Sequence, residues 1–395
     1  MGPLNGIRVI ELGQLIAGPF CGQYLADFGA RVIKIEPPGK GDPMRQWGNV
    51  KVDGRTLWWP LLARNKQSVT LNLREPEGQE ILRKLIPHAD ILVENFRPGT
   101  LERWNLGWEA LSALNPGLIL VRITGFGQSG PYAKRAGYAS VGEALGGLRY
   151  LSGFPDRPPS RAGISLGDTL AGMHGALGAV MALQHRHRTG KGQVVDAAIY
   201  ESVLTVMESL IPEYHKAGYV RERAGSFLKG IAPSNIYPTR DGDIVIGANQ
   251  DTVFRRLCEA MERPELADDE RFRDHAARGE HQNELDALIG EWSATRAAGP
   301  LVEMLAEYGV PAGPLYRAPE MLADPHFQAR EAIVQVEDPH LGTVAMQNAF
   351  PRLSETPGEI RHTGPDLGEH TGAVLAELAG LDAEAIEGLR ARGIV

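Results

Sequence analysis

Asp168 is the residue whose type and setting most directly suggest chemistry. It stands in Gly167-Asp168-Thr169-Leu170-Ala171-Gly172, between a proline-rich stretch and a long pattern of small and apolar residues. Pro155, Pro158 and Pro159 argue against a buried strand upstream. Ala171, Ala176, Leu177, Val180, Met181 and Leu183 recur at helical spacing from Gly172 to about His187. That spacing predicts Asp168 at or near a helix N-terminus, where first-turn N–H groups and the positive end of the dipole favour an ionised, nucleophilic carboxylate. Aspartate is also a preferred N-cap, and the local pattern alone does not choose between the two roles.

Other motifs carry less. Gly125-Phe126-Gly127-Gln128-Ser129-Gly130 spells GxGxxG after a strand pattern, but Pro131 and Tyr132 follow where a dinucleotide fingerprint would open a helix. A nicotinamide site is therefore not expected, although a glycine-rich turn followed by Lys134 and Arg135 suits phosphates. Gly163-Ile164-Ser165-Leu166-Gly167 matches GxSxG and offers Ser165 as the nucleophile of a serine hydrolase. That elbow needs a strand to feed it, which Pro155 to Ser160 cannot supply. The eleven histidines show no metal-ligand spacing, and no metal is expected. The basic run from His185 to Lys191 reads as helix C-terminal capping before Gly190 and Gly192.

The elements that must position Asp168 begin with five short β-branched runs: Arg8 to Leu12, Val32 to Glu36, Ser68 to Leu71, Ile91 to Glu94 and Leu118 to Ile123. Amphipathic patterns separate them, a rhythm that predicts βαβ crossovers and a mostly parallel sheet. Val194 to Ala198 adds a strand. On such sheets ligands gather at the carboxyl ends of the strands, here the loops 13–19, 37–47, 95–99 and 125–138. A helix is expected from Glu201 to about Ala217, then a linker rich in Gly, Arg, Lys and Pro. Beyond it, 236–239 and 244–248 predict a hairpin around Arg240-Asp241-Gly242-Asp243. The tail predicts helices from about Thr371 to Ala379, stopped by Gly380, and from about Ala383 to Arg392.

A chain of 395 residues exceeds the usual single core of about 250–300, so two domains are expected. With 43% hydrophobic and 23% charged residues it has the composition of a soluble globular protein, and no apolar run approaches the ~20 residues of a membrane span. A net charge of −8 argues against nucleic-acid binding, so any anionic ligand needs a local basic pocket. Cys21 and Cys258 are too far apart in sequence to suggest a framework and read as two reduced, buried thiols. The N-terminal residues leave no room for a signal peptide before the first strand, and a cytoplasmic setting is expected.

Several segments together resemble the family III coenzyme A transferases, a group that includes formyl-CoA transferase, carnitine CoA-transferase and the α-methylacyl-CoA racemases. They are Ala17-Gly18-Pro19, Ile33-Lys34-Ile35-Glu36-Pro37, Glu94-Asn95-Phe96-Arg97-Pro98-Gly99, Gly167-Asp168, Gly190 to Asp196, and Gly368-Glu369-His370-Thr371. The resemblance runs from about residue 4 to 395. It implies an α/β fold: a Rossmann-like large domain with a mostly parallel sheet over residues 1–200, completed by 330–395. A linker at 201–224, a smaller α+β domain at 225–325 and a return through 326–395 would follow, in an interlocked homodimer. It also implies that Asp168 attacks an acyl-CoA thioester, that no cofactor is bound permanently, and that coenzyme A enters as substrate. By the same resemblance, CoA would lie along Leu15, Ile16 and Ala17, Leu71, Asn72, Leu73 and Arg74, Asn95, Phe96 and Arg97, Arg103, Lys134 and Arg135, and Ala136, Gly137, Tyr138 and Ala139. Gln14 and Trp47 become candidates for the acyl site.

The departures are informative. Ile16 replaces the glutamine that gates the small acyl group in formyl-CoA transferase, and no tetraglycine stretch lies between Arg221 and Pro233. Pro37 stands where that enzyme presents an arginine to the nucleotide, so the contact must come from elsewhere, with Lys40 a candidate. Racemases carry a histidine and an aspartate where this chain has Tyr138 and Ala139, and α-proton exchange needs two acid/base groups. Transferase is thus favoured over racemase. The stretch from Lys229 to Thr239 resembles members that use succinyl-CoA and other short dicarboxylates.

Overall fold

The computed structural model describes residues 2–395. The chain divides into two compact units, the first made of the chain up to Leu148 with Ala162–Pro212 and Ala329–Val395. The second comprises Arg149–Arg161 and Glu213–Gln328, so it takes in a segment that the sequence reading left in the large domain.

In the first unit the β-branched runs form β1 (Arg8–Glu11), β2 (Arg31–Glu36), β3 (Lys66–Thr70), β4 (Ile91–Glu94), β5 (Ile119–Thr124) and β6 (Val194–Ala198). All pair in parallel in the order β3-β2-β1-β4-β5-β6. Ile10, Ile33, Val69 and Leu92 pack on one face, and Val9, Val32, Ile91, Val121 and Ile123 on the other. Burial of both faces explains why the strands read as nearly continuous apolar runs rather than alternating ones. The strand order reverses direction between β1 and β4, and their carboxyl-end loops diverge to leave a crevice.

The helices that matter for the site are α1 (Ala17–Asp27), α2 (Pro76–Leu85), α3 (Ala139–Leu145), α4 (Leu166–Thr189), α5 (Thr371–Ala379) and α6 (Ala383–Ala391). Leu82, Leu85, Val374, Leu375, Ile386 and Leu389 of α2, α5 and α6 join one core, while Cys21, Leu25, Ala171, Ala176 and Ala179 of α1 and α4 join the other. Glycine within a helix costs about 1 kcal/mol relative to alanine, yet α4 keeps Gly172 and Gly175 where it meets α1. A Cβ added at Gly172 would lie 2.7 Å from Ala17 O, and one at Gly175 3.0 Å from Ile123 Cδ1 of β5. Close approach of α4 to α1 is what Gly172 permits, and close approach of α4 to the sheet is what Gly175 permits.

The motif Gly368 to Thr371 runs beside β3, an edge strand of the sheet. Gly368 N donates to Ser68 Oγ at 2.9 Å, His370 N to Ser68 O at 2.9 Å, and Thr70 N to Thr371 Oγ1 at 2.9 Å. The segment therefore covers an edge that would otherwise expose unpaired backbone groups.

In the second unit, Ser234–Pro238 pairs antiparallel with Asp243–Gly247, which pairs in turn with Ala312–Pro314. Tyr237, Ile244 and Ile246 pack on Phe254, Leu257, Leu285 and Ile289 from helices Asp251–Ala260 and Gln282–Ala294. The helix expected from Glu201 to Ala217 is broken into Ile199–Leu204 and Leu210–Ala217, with Glu208 at φ 52°. The first unit also carries an antiparallel pair, Ile333–Asp338 with Gly342–Gln347, that the sequence pattern does not announce.

Candidate active site

The crevice between β1 and β4 is built on the loop from Gly13 to Ile16. Asn95, at the end of β4, accepts a hydrogen bond from Gln14 N through Oδ1 at 2.8 Å and donates through Nδ2 to Gln14 O at 2.8 Å. Lys34 Nζ donates to Gly13 O at 2.7 Å, and Leu15 N donates to Asp42 Oδ1 at 3.0 Å. Gly13 and Gly18 approach so closely that a Cβ on Gly13 would sit 2.8 Å from Gly18 Cα. Leu15 takes φ 63°, a left-handed conformation uncommon outside glycine. The chain then enters α1, whose first-turn N–H groups have no intrahelical partners.

Asp168 is the third residue of α4 and half-buried. The N-cap is Ser165, so Asp168 does not occupy the capping position that its residue type allowed. Asp168 lies one turn before Gly172 on the same stripe of the helix, and Gly172 packs against Ala17. The carboxylate-bearing residue is thereby set beside the start of α1. On its other side, Gly167 N donates to Oε1 of the buried Glu143 at 3.2 Å, and a Cβ at Gly167 would lie 3.4 Å from Ala139 O. Ser165 follows irregular chain rather than a strand, the wrong setting for a hydrolase elbow. The glycine run 125–130 likewise leads through turns to α3 at Ala139, not directly into a helix.

Two cavities lie along the carboxyl ends of the strands. The larger, about 970 Å³, spans the carboxyl ends of β1 to β4 and is lined by Gln14, Pro37, Lys40, Leu71, Asn72, Leu73, Arg74, Phe96, Thr100 and Trp104 among others. The smaller, about 140 Å³, lies at the ends of β4 and β5 and includes Asn95, Phe96, Arg97, Arg135, Ala136, Gly137 and Tyr138. Phe96 belongs to both and meets Trp104 edge-on at 5.4 Å. Lys40 and Arg74 are exposed, and no ion pair among the described residues engages either. Arg135 stacks on Tyr132 at 3.8 Å.

Other expected residues sit apart from the cavity walls. Ile16 and Ala17 are buried, with Ile16 packed on Met44, Trp59 and Leu62, so they face the crevice through backbone alone. Leu15 packs on the edge of the same cluster. Arg103 is exposed and donates to Thr100 Oγ1 at 2.9 Å. Lys134 is exposed, Ala139 is buried at the start of α3, and Trp47 stacks on Trp58 at 6.4 Å. Asn95, which also lines the smaller cavity, holds the Gln14 backbone through its amide and so fixes the loop.

The residues that sequence reasoning missed lie beneath the loop. Lys34 Nζ is 2.9 Å from Glu11 Oε1 and 2.8 Å from Asp42 Oδ2, and Lys66 Nζ is 2.8 Å from Glu11 Oε2, all four side chains at most 2% exposed. Burial disfavours the Lys34 ammonium, but the charges of Asp42, Glu11 and Glu36 outweigh it and raise its pKa. Burial also opposes the Asp42 and Glu36 carboxylates; Lys34 beside the first, and Arg45 and Lys34 beside the second, hold both below the ordinary range. Glu94 behaves differently: burial pushes its carboxyl up to about 7 despite Arg122 Nε at 2.7 Å. Glu94 Oε2 also accepts from Phe96 N at 2.7 Å and so shapes the loop after β4. A lysine inside the apolar run Val32-Ile33-Lys34-Ile35 was the available signal for this network.

A six-stranded parallel sheet with a cavity over its switch point is the architecture of a doubly wound α/β protein, whose ligands gather at that point. Residues 4–371 match the model of CoA-transferase family III. The chain belongs to that family and is by class a CoA-transferase. It is 60% identical over 394 residues to the succinyl-CoA–D-citramalate CoA-transferase of Chloroflexus aurantiacus, covering 100% of this chain and 98% of the relative. The beta subunit of succinyl-CoA–L-malate CoA-transferase from the same organism is 44% identical over 397 residues, with 100% and 98% covered. Among solved structures, a CaiB/BaiF family protein from Brucella suis superposes with a TM-score of 0.85 at 37% identity, over 95% of this chain and 99% of that one. Among the described residues no helix is long and apolar enough to cross a membrane.

Proposed function

We propose that this chain moves CoA from succinyl-CoA, or another short dicarboxylyl-CoA, to a second carboxylic acid through covalent intermediates on Asp168. The Asp168 carboxylate attacks the thioester carbonyl and expels CoA thiolate, leaving a mixed anhydride. The thiolate attacks the aspartyl carbonyl, releases the donor acid and forms an aspartyl-CoA thioester. The acceptor carboxylate then attacks that carbonyl and expels thiolate again, and the thiolate takes the acceptor acyl group, restoring Asp168. Each step exchanges one acyl bond for another, so no ATP is needed, and water must be kept out.

The observation that carries this reading is the place of Asp168, in the first turn of α4 and one turn from the Gly172 contact with the start of α1 at the switch point. A helix N-terminus favours negative charge, on the attacking carboxylate as on a developing oxyanion. The larger cavity suits the nucleotide end of CoA: Lys40 and Arg74 offer cations to its phosphates, and Phe96 and Trp104 offer faces to adenine. Relatives named for D-citramalate and L-malate put hydroxy-dicarboxylates at the head of the acceptor panel. Gln14 and Trp47 are the acyl-site candidates, and CoA is substrate, with no permanently held cofactor.

The active species in this proposal is a cytoplasmic, interlocked homodimer, with a linker at 201–224, a small domain at 225–325, and a return through 326–395 whose C-terminal helices complete the large domain. Supporting it, α4 exposes Met173, Leu177, Val180 and Met181 at 42%, 52%, 43% and 62%, a stripe that a soluble chain ordinarily covers. The test is to incubate the protein with succinyl-CoA and citramalate, malate, glutarate, itaconate and monocarboxylic acids, following new CoA esters by mass. Formation of a dicarboxylyl-CoA is expected. Transfer only to monocarboxylates would overturn the acceptor class, and no transfer at all would overturn the function.

A further inference from the structure

Two consecutive peptide units in the loop after β1 are held at both ends by side chains. In the unit joining Gly13 to Gln14, Lys34 Nζ takes the carbonyl at 2.7 Å and Asn95 Oδ1 takes the N–H at 2.8 Å. In the unit joining Gln14 to Leu15, Asn95 Nδ2 takes the carbonyl at 2.8 Å and Asp42 Oδ1 takes the N–H at 3.0 Å. The three clamping residues come from β2, from the loop after β2 and from the loop after β4. The clamp ends on Leu15, which has a branched side chain at φ 63°. A residue of this kind stays in the left-handed region only where its surroundings fix it there.

The fixing group is identifiable. Asp42 is 1% exposed; its Oδ1 also accepts from Met44 N at 2.9 Å, and its Oδ2 lies 2.8 Å from Lys34 Nζ. Asp42 N donates to Glu36 Oε2 at 2.9 Å, and Glu36 in turn binds Arg45 Nε at 2.8 Å and Ser68 Oγ at 2.6 Å. The carboxylate is thus held by Met44 N and Lys34 Nζ, and the backbone of Asp42 by Glu36, with Oδ1 turned to Leu15 N. Beyond Leu15 the chain reaches Ile16 and Ala17, the backbone that packs on Gly172 one turn from Asp168.

We infer that Asp42 is a positioning residue for acyl transfer: by holding Leu15 left-handed it sets the path of the chain into α1 and so the backbone that faces the reacting carbonyl. This rests on the transferase reading above. It makes the left-handed turn at Leu15, not the ion pair beneath it, the feature through which Asp42 acts.

Four variants test it beside wild type: Asp42→Ala, Asp42→Asn, Leu15→Gly and Asp42→Ala combined with Leu15→Gly. The readouts are kcat and KM for succinyl-CoA, thermal midpoint, and hydrogen exchange of the peptide spanning 12–20. Asp42→Ala is expected to lower kcat about 10-fold or more, with a smaller change in KM and faster exchange of that peptide. Asp42→Asn, which keeps an acceptor for Leu15 N, should recover most of kcat although the ion pair with Lys34 is lost. Leu15→Gly is the reference for the double variant: introduced into the Asp42→Ala background it should restore kcat several-fold over Asp42→Ala, because glycine adopts positive φ without strain. A merely structural role would lower the thermal midpoint in both Asp42→Ala proteins without that recovery, and this result would overturn the inference, as would an unchanged kcat in Asp42→Ala. If Asp42→Ala does not fold, Leu15→Val against Leu15→Gly decides: the β-branched residue at this φ should give a several-fold lower kcat than glycine, and equal activities would refute the inference. A wild-type protein that transfers no CoA would instead sink the transferase reading itself.

Discussion

Replacing Gly172 with alanine isolates the α1–α4 crossing from the chemistry it is held to position. The new Cβ would lie 2.7 Å from Ala17 O, 3.1 Å from Phe20 Cδ1 and 3.2 Å from Cys21 N, so backbone, not a mobile side-chain tip, must yield. Reaching the lower end of ordinary contact at 3.4 Å requires a displacement of 3.4 − 2.7 = 0.7 Å. Overpacking of this kind costs about 1–3 kcal/mol, offset by about 1 kcal/mol of helix propensity gained over glycine. The net loss of about 0–2 kcal/mol moves the thermal midpoint by a few degrees at most. Activity should respond far more, since a displacement near 1 Å in a reacting pair can cost about 100-fold, and a 10- to 100-fold fall in kcat is expected. Gly178→Ala is the control: its Cβ would meet Val195 Cγ1 at 2.5 Å on the same helix, ten residues beyond Asp168 and against a side chain. It should destabilise comparably and leave kcat within about 2-fold. Succinyl-CoA turnover and thermal denaturation of the two variants decide the matter, and equal kcat values would refute the claim that this crossing sets the site.

Removing either Arg74 or Lys40 should raise KM for acyl-CoA about 10-fold with little change in kcat, as expected of charges that meet a phosphate in ground and transition states alike; an unchanged KM in both would move the phosphates elsewhere. Because the Glu36 and Asp42 carboxylates are held below their ordinary values, the stability they contribute is complete above about pH 5 and is lost as pH falls below about 4. Glu94, raised to about 7, acts oppositely, its penalty growing from about pH 4 to 7. Urea midpoints of wild type and Asp42→Asn separate the two effects, and an acid slope as steep in the variant would remove Asp42 from the account. Leu177→Lys or Met181→Lys should shift the species seen in sedimentation toward monomer, whereas an unchanged mass would detach the apolar stripe of α4 from self-association.

The strands, and the helix start near Asp168, were legible because their signals are local. Ile91–Glu94 and Val194–Ala198 end where their β-branched runs end, and Gly380, at φ 65°, stops α5 as a glycine should. The first residue of α4 was less visible: helix begins at Leu166, six residues before the apolar periodicity, because Gly167 packs on Glu143 and Ile199 and not on a neighbour in sequence. The tie between Asn95 and Gln14 spans 81 positions, and no local pattern encodes it. Asp42 and Lys34 were passed over for the same reason. Their partners lie on β1 and on the loop they clamp, and only the sheet order brings these together. The tail motif kept its place in the resemblance, but its physical task, covering the β3 edge, depends on strand β3 lying about 300 residues earlier in the chain.

The most direct test of the central claim is to trap the covalent intermediate. The protein, mixed with succinyl-CoA, would be quenched within the turnover time, reduced with borohydride and peptide-mapped by mass spectrometry beside Asp168→Asn. Reduction of an aspartyl-CoA thioester at Asp168 to the alcohol in the native protein, with neither the modification nor transfer in the variant, is the predicted outcome. Transfer that persists in Asp168→Asn, or an adduct on another residue, would contradict the assignment of the nucleophile.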